Sequence, residues 1–344
     1  MMNDVIDIMS VWGVCLLVSW GIFHRYHYVR PMPRTGWRTR RTLLFVIAFF
    51  LLWSVTVSAQ SAQSTPLRSP YLHTTETVIN TVPWISSVRA AIVMDADTED
   101  LLWEQHPDLP FAIASLTKVM SALVVMQSGL PLDRPVRILA SDVHRASTTH
   151  IRAKDSVTVE TLLFLMLVGS DNAAARALAR EAAGTSIAFV QRMNVTAASL
   201  RLVQSHFVDP AGLLSGNVMS GRDVGRLLIA AEAHSQSVLR RVFNTQQFST
   251  KIGNRTVVIS NTNRYVDDGM LASKTGFTSS AKYCLSILFK TPTQKRYVVV
   301  VLGATTSHER FNIATMFRAI LSPQFTNRRP LLAKPVHEHL LSVP

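Results

Sequence analysis

Cysteine is nearly missing from this chain: Cys15 and Cys284 are the only two in 344 residues. A disulfide scaffold is excluded. Cys15 sits in an apolar run near the start, which leaves Cys284 without a partner in the remainder. Charge is also sparse, at 17% of residues, and acids are the scarcer sign: 22 Asp and Glu against 35 Lys and Arg, for a net +13. No Lys/Arg run is interleaved with aromatics, so nucleic acid is not the expected partner; a basic exported domain is drawn instead to an anionic surface or polymer. No His-Glu-x-x-His occurs. His337-Glu338-His339 has a ligand-like look but stands in an irregular tail without a third partner, so neither a metal nor a cofactor is expected. Internal repeats are absent as well. What is present is apolar: 48% hydrophobic residues and a mean hydropathy of +0.20. That excludes disordered and low-complexity classes, and the length allows one large domain or two modest ones.

Two apolar runs precede the body of the chain, Met9–Phe23 and Leu43–Val57. Arg34, Arg38, Arg40 and Arg41 stand before the second, and Val57-Ser58-Ala59-Gln60 closes it. A basic stretch, a short apolar core and a small-x-small end make a secretory signal; Met32 offers an internal start for it, and two uncleaved anchoring helices are the alternative. Arginines between the runs hold that loop in the cytoplasm, so the rest emerges on the outer side. The expected layout is 1–62 signal or membrane segment, 63–87 linker, 88–322 globular domain and 323–344 irregular tail. The expected location is exported and periplasmic, with membrane attachment only if the N-terminus is retained.

Within the domain, Val88–Ala96 and Leu101–Glu104 read as strands joined by the polar turn Asp97–Asp100. Ser115–Gln127, Val159–Val168, Asp171–Ala183, Thr185–Leu200 and Ser220–Glu232 read as helices. Strand character returns in Leu271–Phe277, Tyr283–Phe289 and Tyr297–Leu302, followed by a closing helix over Glu309–Ile320. Strands at both ends with helices between them predict an α/β three-layer sandwich whose sheet is built from both chain ends, with a mostly helical lobe, about 119–265, inserted in the middle.

Three short patterns carry chemistry. Ser115-Leu116-Thr117-Lys118 puts a hydroxyl and an amine on one helix face, and a desolvated neutral lysine can take the proton that makes serine a nucleophile. The pattern is weak alone: at ~5% each for Ser and Lys a chain this long holds about one by chance, and Ser279–Lys282 is a second copy. Ser170-Asp171-Asn172 joins an apolar helix to an alanine-rich one, a packed junction that can hold it rigidly; Ser215-Gly216-Asn217 lacks such neighbours. Lys274-Thr275-Gly276, followed by Phe277, offers a fixed charge, a hydroxyl and a glycine on a strand that a substrate backbone can approach closely.

Ordered along the chain, with 55 residues from Ser115 to Ser170, the three form the signature of penicillin-binding proteins and class A β-lactamases. The chain resembles the low-molecular-mass penicillin-binding proteins, the serine-type D-alanyl-D-alanine carboxypeptidases and endopeptidases, over about Val88–Ile320. Ala112–Met120, Gly169–Ala175, Val208–Leu213 and Ala272–Ala281 support the likeness. The resemblance implies a β-lactamase/transpeptidase-like fold and a set of roles: Ser115 as nucleophile, Lys118 as base and Ser170 as proton relay. It further implies that Asn172, Lys274, Thr275, Gly276 and Phe277 bind substrate, that the backbone amides of Ser115 and Phe277 form the oxyanion hole, and that Arg310 receives the substrate's terminal carboxylate. Burial and the charge of Lys274 are both expected to depress the Lys118 pKa. The implied substrates are peptidoglycan stem peptides, with β-lactam antibiotics as slow acylating mimics. Carboxypeptidase action is the first expectation and cross-link endopeptidase action the alternative, to which the short C-terminal part is similar. Rapid β-lactamase activity is less expected, because Glu181 and Glu232 do not open a Glu-x-x-Leu-Asn loop, and a wall-binding module with a relic site is the non-enzymatic rival. Family patterns usually show glycine where Lys282 stands.

Overall fold

A computed structural model describes residues 79–234 and 238–322. The apolar runs, most of the expected linker and the 323–344 tail lie outside the described residues. Strands β1 (Ala90–Asp95) and β2 (Leu101–Gln105) turn on the Asp95 side chain, which accepts the Asp97 amide at 2.9 Å. Late in the chain come β9 (Met270–Thr278), β10 (Lys282–Lys290) and β11 (Arg296–Ala304). The five pair antiparallel in the order β2-β1-β11-β10-β9. The sheet thus draws on both chain ends, and β9 is an edge.

Both faces of the sheet are covered, which is why its central strands read as nearly unbroken apolar runs. Ile92, Met94, Val298 and Val300 face one core, and Val93, Val299 and Val301 the other, following the period-2 alternation of strands. The second face is closed by the last helix, Ser307–Leu321, through Phe311, Ala314 and Phe317. Against the first face lie the helices Thr117–Gln127 and Gly221–His234. A methyl group at Gly225 would sit 3.3 Å from Met94 Sδ, so that helix rests close on β1.

Numbered in chain order, the helices are α1 (Thr117–Gln127), α2 (Ala140–Val143), α3 (Val159–Leu167), α4 (Asn172–Ala183), α5 (Ser186–Ser199), α6 (Gly221–His234), α7 (Val238–Phe243) and α8 (Ser307–Leu321). Thr158, Asp171 and Thr185 cap α3, α4 and α5, each side chain accepting the third amide of its helix. Among the described residues no helix is long and apolar enough to cross a membrane.

Three features differ from the sequence reading. The stretch after α6 holds α7 and a hairpin of β7 (Gln247–Ile252) and β8 (Arg255–Ser260), joined by Gly253-Asn254. One face of this hairpin is wet and its apolar pattern faint, yet Phe248 stacks on Phe164 of α3 at 4.2 Å. Short pairings, β3 (Phe111–Ala112) with β6 (Val218–Met219) and β4 (Pro135–Arg137) with β5 (Ser156–Thr158), are too brief to carry a period. Finally, the end of the expected linker packs on the sheet: Ile79 is buried, and the Gln105 amide accepts from Ile85 N and donates to the carbonyls of Ile85 and Val88.

Candidate active site

Ser115 lies in a 3-10 turn, Ala114–Leu116, that runs directly into α1. The chain reaches that turn through a narrow gap. A methyl group at Gly276 would stand 2.7 Å from the Ile113 carbonyl oxygen and 3.1 Å from Ser115 N, and one at Gly212 would stand 2.0 Å from the Ala114 carbonyl oxygen. Ala114 itself has φ +49°, a strained setting for a residue with a side chain. Gly276 was expected to admit a substrate backbone; what it admits in the structure is the nucleophile turn of its own chain. The Ser115 side chain remains half-exposed.

Lys118, one turn along α1, is fully buried. Its Nζ stands 3.0 Å from Ser115 Oγ, 2.7 Å from Asn172 Oδ1 and 2.6 Å from the Ala211 carbonyl oxygen. The last two are acceptors only, so they fix two N–H bonds of the amine and leave its third direction on Ser115 Oγ. In the neutral amine that direction is the lone pair. Burial lowers the Lys118 pKa to about 7, with Arg176 adding to the fall and Asp209 and Asp171 opposing it. The expected effect of Lys274 on Lys118 is not among these causes. The repulsion registers on Lys274, which burial and then the charges of Lys118 and Arg310 hold well below the ordinary lysine range.

Nothing in the side chains of Val208–Leu213 shows what this stretch does for the site. The Asp209 carboxylate accepts the amides of Ala211, Gly212 and Leu214 at 2.7, 2.7 and 2.8 Å, and the Asn217 amide at 2.6 Å. That nest turns the Ala211 carbonyl onto Lys118 and the Pro210 carbonyl onto Ser121, 2.7 Å away on the next turn of α1. Asn217, part of the rejected Ser-x-Asn pattern, is fully buried as a brace of this loop.

Ser170 has φ +57° at the corner before α4. Asp171 pins that corner: one carboxylate oxygen accepts Ala174 N at 2.9 Å, and the other accepts His150 N at 2.6 Å and faces His150 Nδ1 at 3.3 Å. Asn172 is 3% exposed, and both ends of its amide are engaged, Oδ1 on Lys118 and Nδ2 on Ser147 Oγ at 3.2 Å. In this position Asn172 supports the Lys118 amine. Lys274 Nζ reaches across to Ser170 Oγ at 3.1 Å and donates to the Thr275 carbonyl at 3.0 Å, with Thr262 Oγ1 at 3.4 Å. All three sequence patterns therefore meet in one place.

Phe277 is 52% exposed at the cleft edge and stacks on Tyr283 at 4.3 Å. Arg310 is less accessible than a carboxylate receptor needs to be. It is 8% exposed; Nη1 donates to the carbonyls of Gly276 and Cys284 at 3.0 and 3.1 Å, Nη2 to Ser307 Oγ at 3.1 Å, and the buried Nε has no partner among the described residues. The guanidinium ties α8 to β9 and β10 directly behind Gly276. The second Ser-x-x-Lys falls in the β9–β10 turn, with Ser279 and Lys282 both exposed, and Lys282 has φ +58°. That backbone is why glycine suits the position.

Comparison with known proteins agrees with this geometry. The profile of the D-alanyl-D-alanine carboxypeptidase family, Peptidase S11, matches residues 77–306. A D-alanyl-D-alanine endopeptidase of Pseudomonas aeruginosa is 32% identical over 250 residues, 71% of this chain and 80% of that protein. A D-alanyl-D-alanine carboxypeptidase of a Streptomyces species is 32% identical over 256 residues, 68% of this chain and 87% of that one. Among solved structures, the Streptomyces K15 DD-transpeptidase superposes with a TM-score of 0.63 at 29% identity, covering 69% of this chain and 97% of that one. Penicillin-binding protein D2 from Listeria monocytogenes, in its cefotaxime-bound form, gives 0.62 at 26% identity, covering 69% and 98%.

Proposed function

The chain belongs to the D-alanyl-D-alanine carboxypeptidase family of serine peptidases, and from that premise we propose that it hydrolyses D-alanyl peptide bonds of peptidoglycan through an acyl-enzyme on Ser115. The observation that carries this reading is the buried Lys118 amine, held by two carbonyl oxygens with its remaining direction on Ser115 Oγ at 3.0 Å. Ser115 Oγ attacks the D-alanyl carbonyl while its proton passes to Lys118 Nζ. The amides of Ser115 and Phe277, at the edge strand β9, receive the oxyanion; donors of this kind contribute about 3 kcal/mol each to the transition state. Ser170, steadied by Lys274, delivers a proton to the leaving amine nitrogen. Water, deprotonated in turn, releases the acyl group. β-Lactams enter the same first step and leave slowly. Export to the compartment of the cell wall follows from the N-terminal pattern, which lies outside the described residues.

Two forms of the activity exist in the family, removal of a terminal D-alanine and cleavage of cross-links. Arg310 favours the second here, since both hydrogens of Nη1 are spent on backbone carbonyls and the side chain is buried, 8% exposed, away from an incoming terminal carboxylate. Mass spectrometry of products from a purified cross-linked muropeptide tests this. Monomers released from dimers are the expected result; loss of terminal D-alanine alone returns the assignment to a carboxypeptidase. Arg310→Gln is expected to slow penicillin acylation and peptide hydrolysis together, as loss of a brace behind Gly276 does. A rise in KM confined to substrates ending in a free carboxylate would restore Arg310 as their receptor.

A further inference from the structure

We infer that the β4–β5 segment beside the cleft is an anion-binding surface that holds the carboxylate-bearing peptidoglycan polymer next to Ser170. This rests on the peptidase reading above and deepens it. Arg137, Arg145, Arg152 and Lys154 stand on that segment and Lys251 on the neighbouring β7, all five exposed and, among the described residues, without an ion-pair partner. Asp133, just before β4, is an exposed acid in none of the ion pairs; the other acids around them are already paired. Asp142 pairs with Arg180 at 2.9 Å, Asp155 with Arg255 at 2.5 Å and Glu181 with Arg134 at 3.0 Å, while Asp171 is spent on His150 and the α4 cap. Among the described residues a patch of predominantly positive sign is left over.

The same segment is tied to the cleft. Asn172 N donates to the Thr148 carbonyl at 2.9 Å, Asn172 Nδ2 to Ser147 Oγ at 3.2 Å and His150 N to Asp171 at 2.6 Å. Arg145 and Arg152 therefore flank, two residues to either side, the stretch that touches the Ser170 corner. Arg145 and Lys154 also hold φ of +50° and +75°, a backbone better suited to asparagine or glycine, so local folding does not call for a cation at either position. Stem peptides in a cell-wall polymer bear repeated carboxylates, and such a strand can engage several of these side chains at once. Each exposed contact is weak by itself; together they concentrate the polymer at the mouth and add a salt-sensitive attraction.

The experiment is cosedimentation of the full chain with purified peptidoglycan sacculi across ionic strength. It compares Ser115→Ala with a quadruple variant that adds Arg145→Asn, Arg152→Gln and Lys154→Asn; asparagine is chosen where φ is positive. The Ser115→Ala background makes binding independent of turnover, so absence of a penicillin adduct on the unmodified chain overturns the peptidase reading separately. The three substitutions are expected to weaken sacculus binding about tenfold at low salt, with the gap closing at high salt. With Ser115 present, they leave the rate of acylation by a fluorescent penicillin unchanged. Sacculus binding that ignores the substitutions overturns the proposal, as does a loss confined to phosphatidylglycerol vesicles, which would assign the patch to a membrane. An equal fall in penicillin acylation overturns it too, because the segment would then serve only to position Asn172.

Discussion

The chain holds two Ser-x-x-Lys tetrads, and their fates differ completely. In the first, Ser115 and Lys118 sit on a helix start wedged between Gly212 and Gly276, and the amine is buried against two carbonyl oxygens. In the second, Ser279 and Lys282 straddle the β9–β10 turn, both in water. Spacing brings hydroxyl and amine together only where a helix supplies the register, and chemistry appears only where burial removes the proton from the amine. The difference between the tetrads is therefore one of surroundings, and each test below acts on those surroundings.

Ser115→Ala is expected to abolish labelling by a fluorescent penicillin, whereas Ser279→Ala leaves it intact; the reverse pattern would end the assignment. Replacing the amines separates the sites next. Lys118→Arg keeps a cation but cannot release a proton at any working pH, so acylation should fall by about a thousandfold or more, while Lys282→Arg changes nothing measurable in a stopped-flow acylation assay. Gly212→Ala drives a methyl group into the Ala114 carbonyl and should slow acylation about a hundredfold, in line with what a displacement of order 1 Å costs. Gly253→Ala, at φ +57° with open space around it, is a control that lowers thermal stability without touching the acylation rate.

The pH profile offers a quantitative version. Lys118 titrates near 7 because burial disfavours its charged form, so acylation should rise as the pH passes upward through about 7 and level off above it. Asp209 opposes that depression. Asp209→Asn therefore lowers the Lys118 pKa further and moves the rising limb to more acidic pH, provided the nest around position 209 still forms from the amide oxygen. A limb that stays in place means that the carboxylate acts on Lys118 only by shaping the loop. Stability carries the same sign. The unfolded chain binds the Lys118 proton up to its ordinary pKa of 10.5 and the folded one only to about 7, so this residue makes the fold more stable as pH rises across that window.

The layers of the fold were legible because β1, β9, β10 and β11 are buried on both faces and announce themselves as apolar runs, and because Asp171 and Thr185 mark their helices as caps. The β7–β8 hairpin was not, since its buried side chains Ile252, Val257 and Ile259 and its Phe248–Phe164 stack all pack on residues far away in the chain. At the site, residue types and their order along the chain pointed to Ser115, Lys118, Ser170 and Lys274, which the fold brings together. Backbone contributions stayed hidden. A carbonyl such as that of Ala211 has no side-chain signature, and only the Asp-Pro-x-Gly character of the turn from Asp209 to Gly212 hints at a loop folded on its own carboxylate. The engagements of Asn172 and Arg310 were invisible for a related reason: sequence shows what a side chain is able to bind, not which acceptor within the fold reaches it first.

The smallest expected effect concerns the second tetrad. Lys282 begins β10 at φ +58°, where it pairs with Thr278 across the turn, and a residue with a Cβ pays about 1–2 kcal/mol in that region. Lys282→Gly removes the cost in the folded state but adds freedom to the unfolded one, worth roughly 0.5–1 kcal/mol in the other direction. The net should be a gain of at most about 1.5 kcal/mol, read as a rise of a few degrees in Tm, with penicillin acylation unaltered. Because Arg310 ties Cys284 and Gly276 together two residues further along, any coupling from this turn to the cleft has to pass through that guanidinium. A change in acylation on Lys282→Gly that disappears in the Arg310→Gln background would show the turn communicating with Ser115. The buried alignment of Lys118, anchored instead on α4 and the Asp209 loop, predicts that no such change occurs.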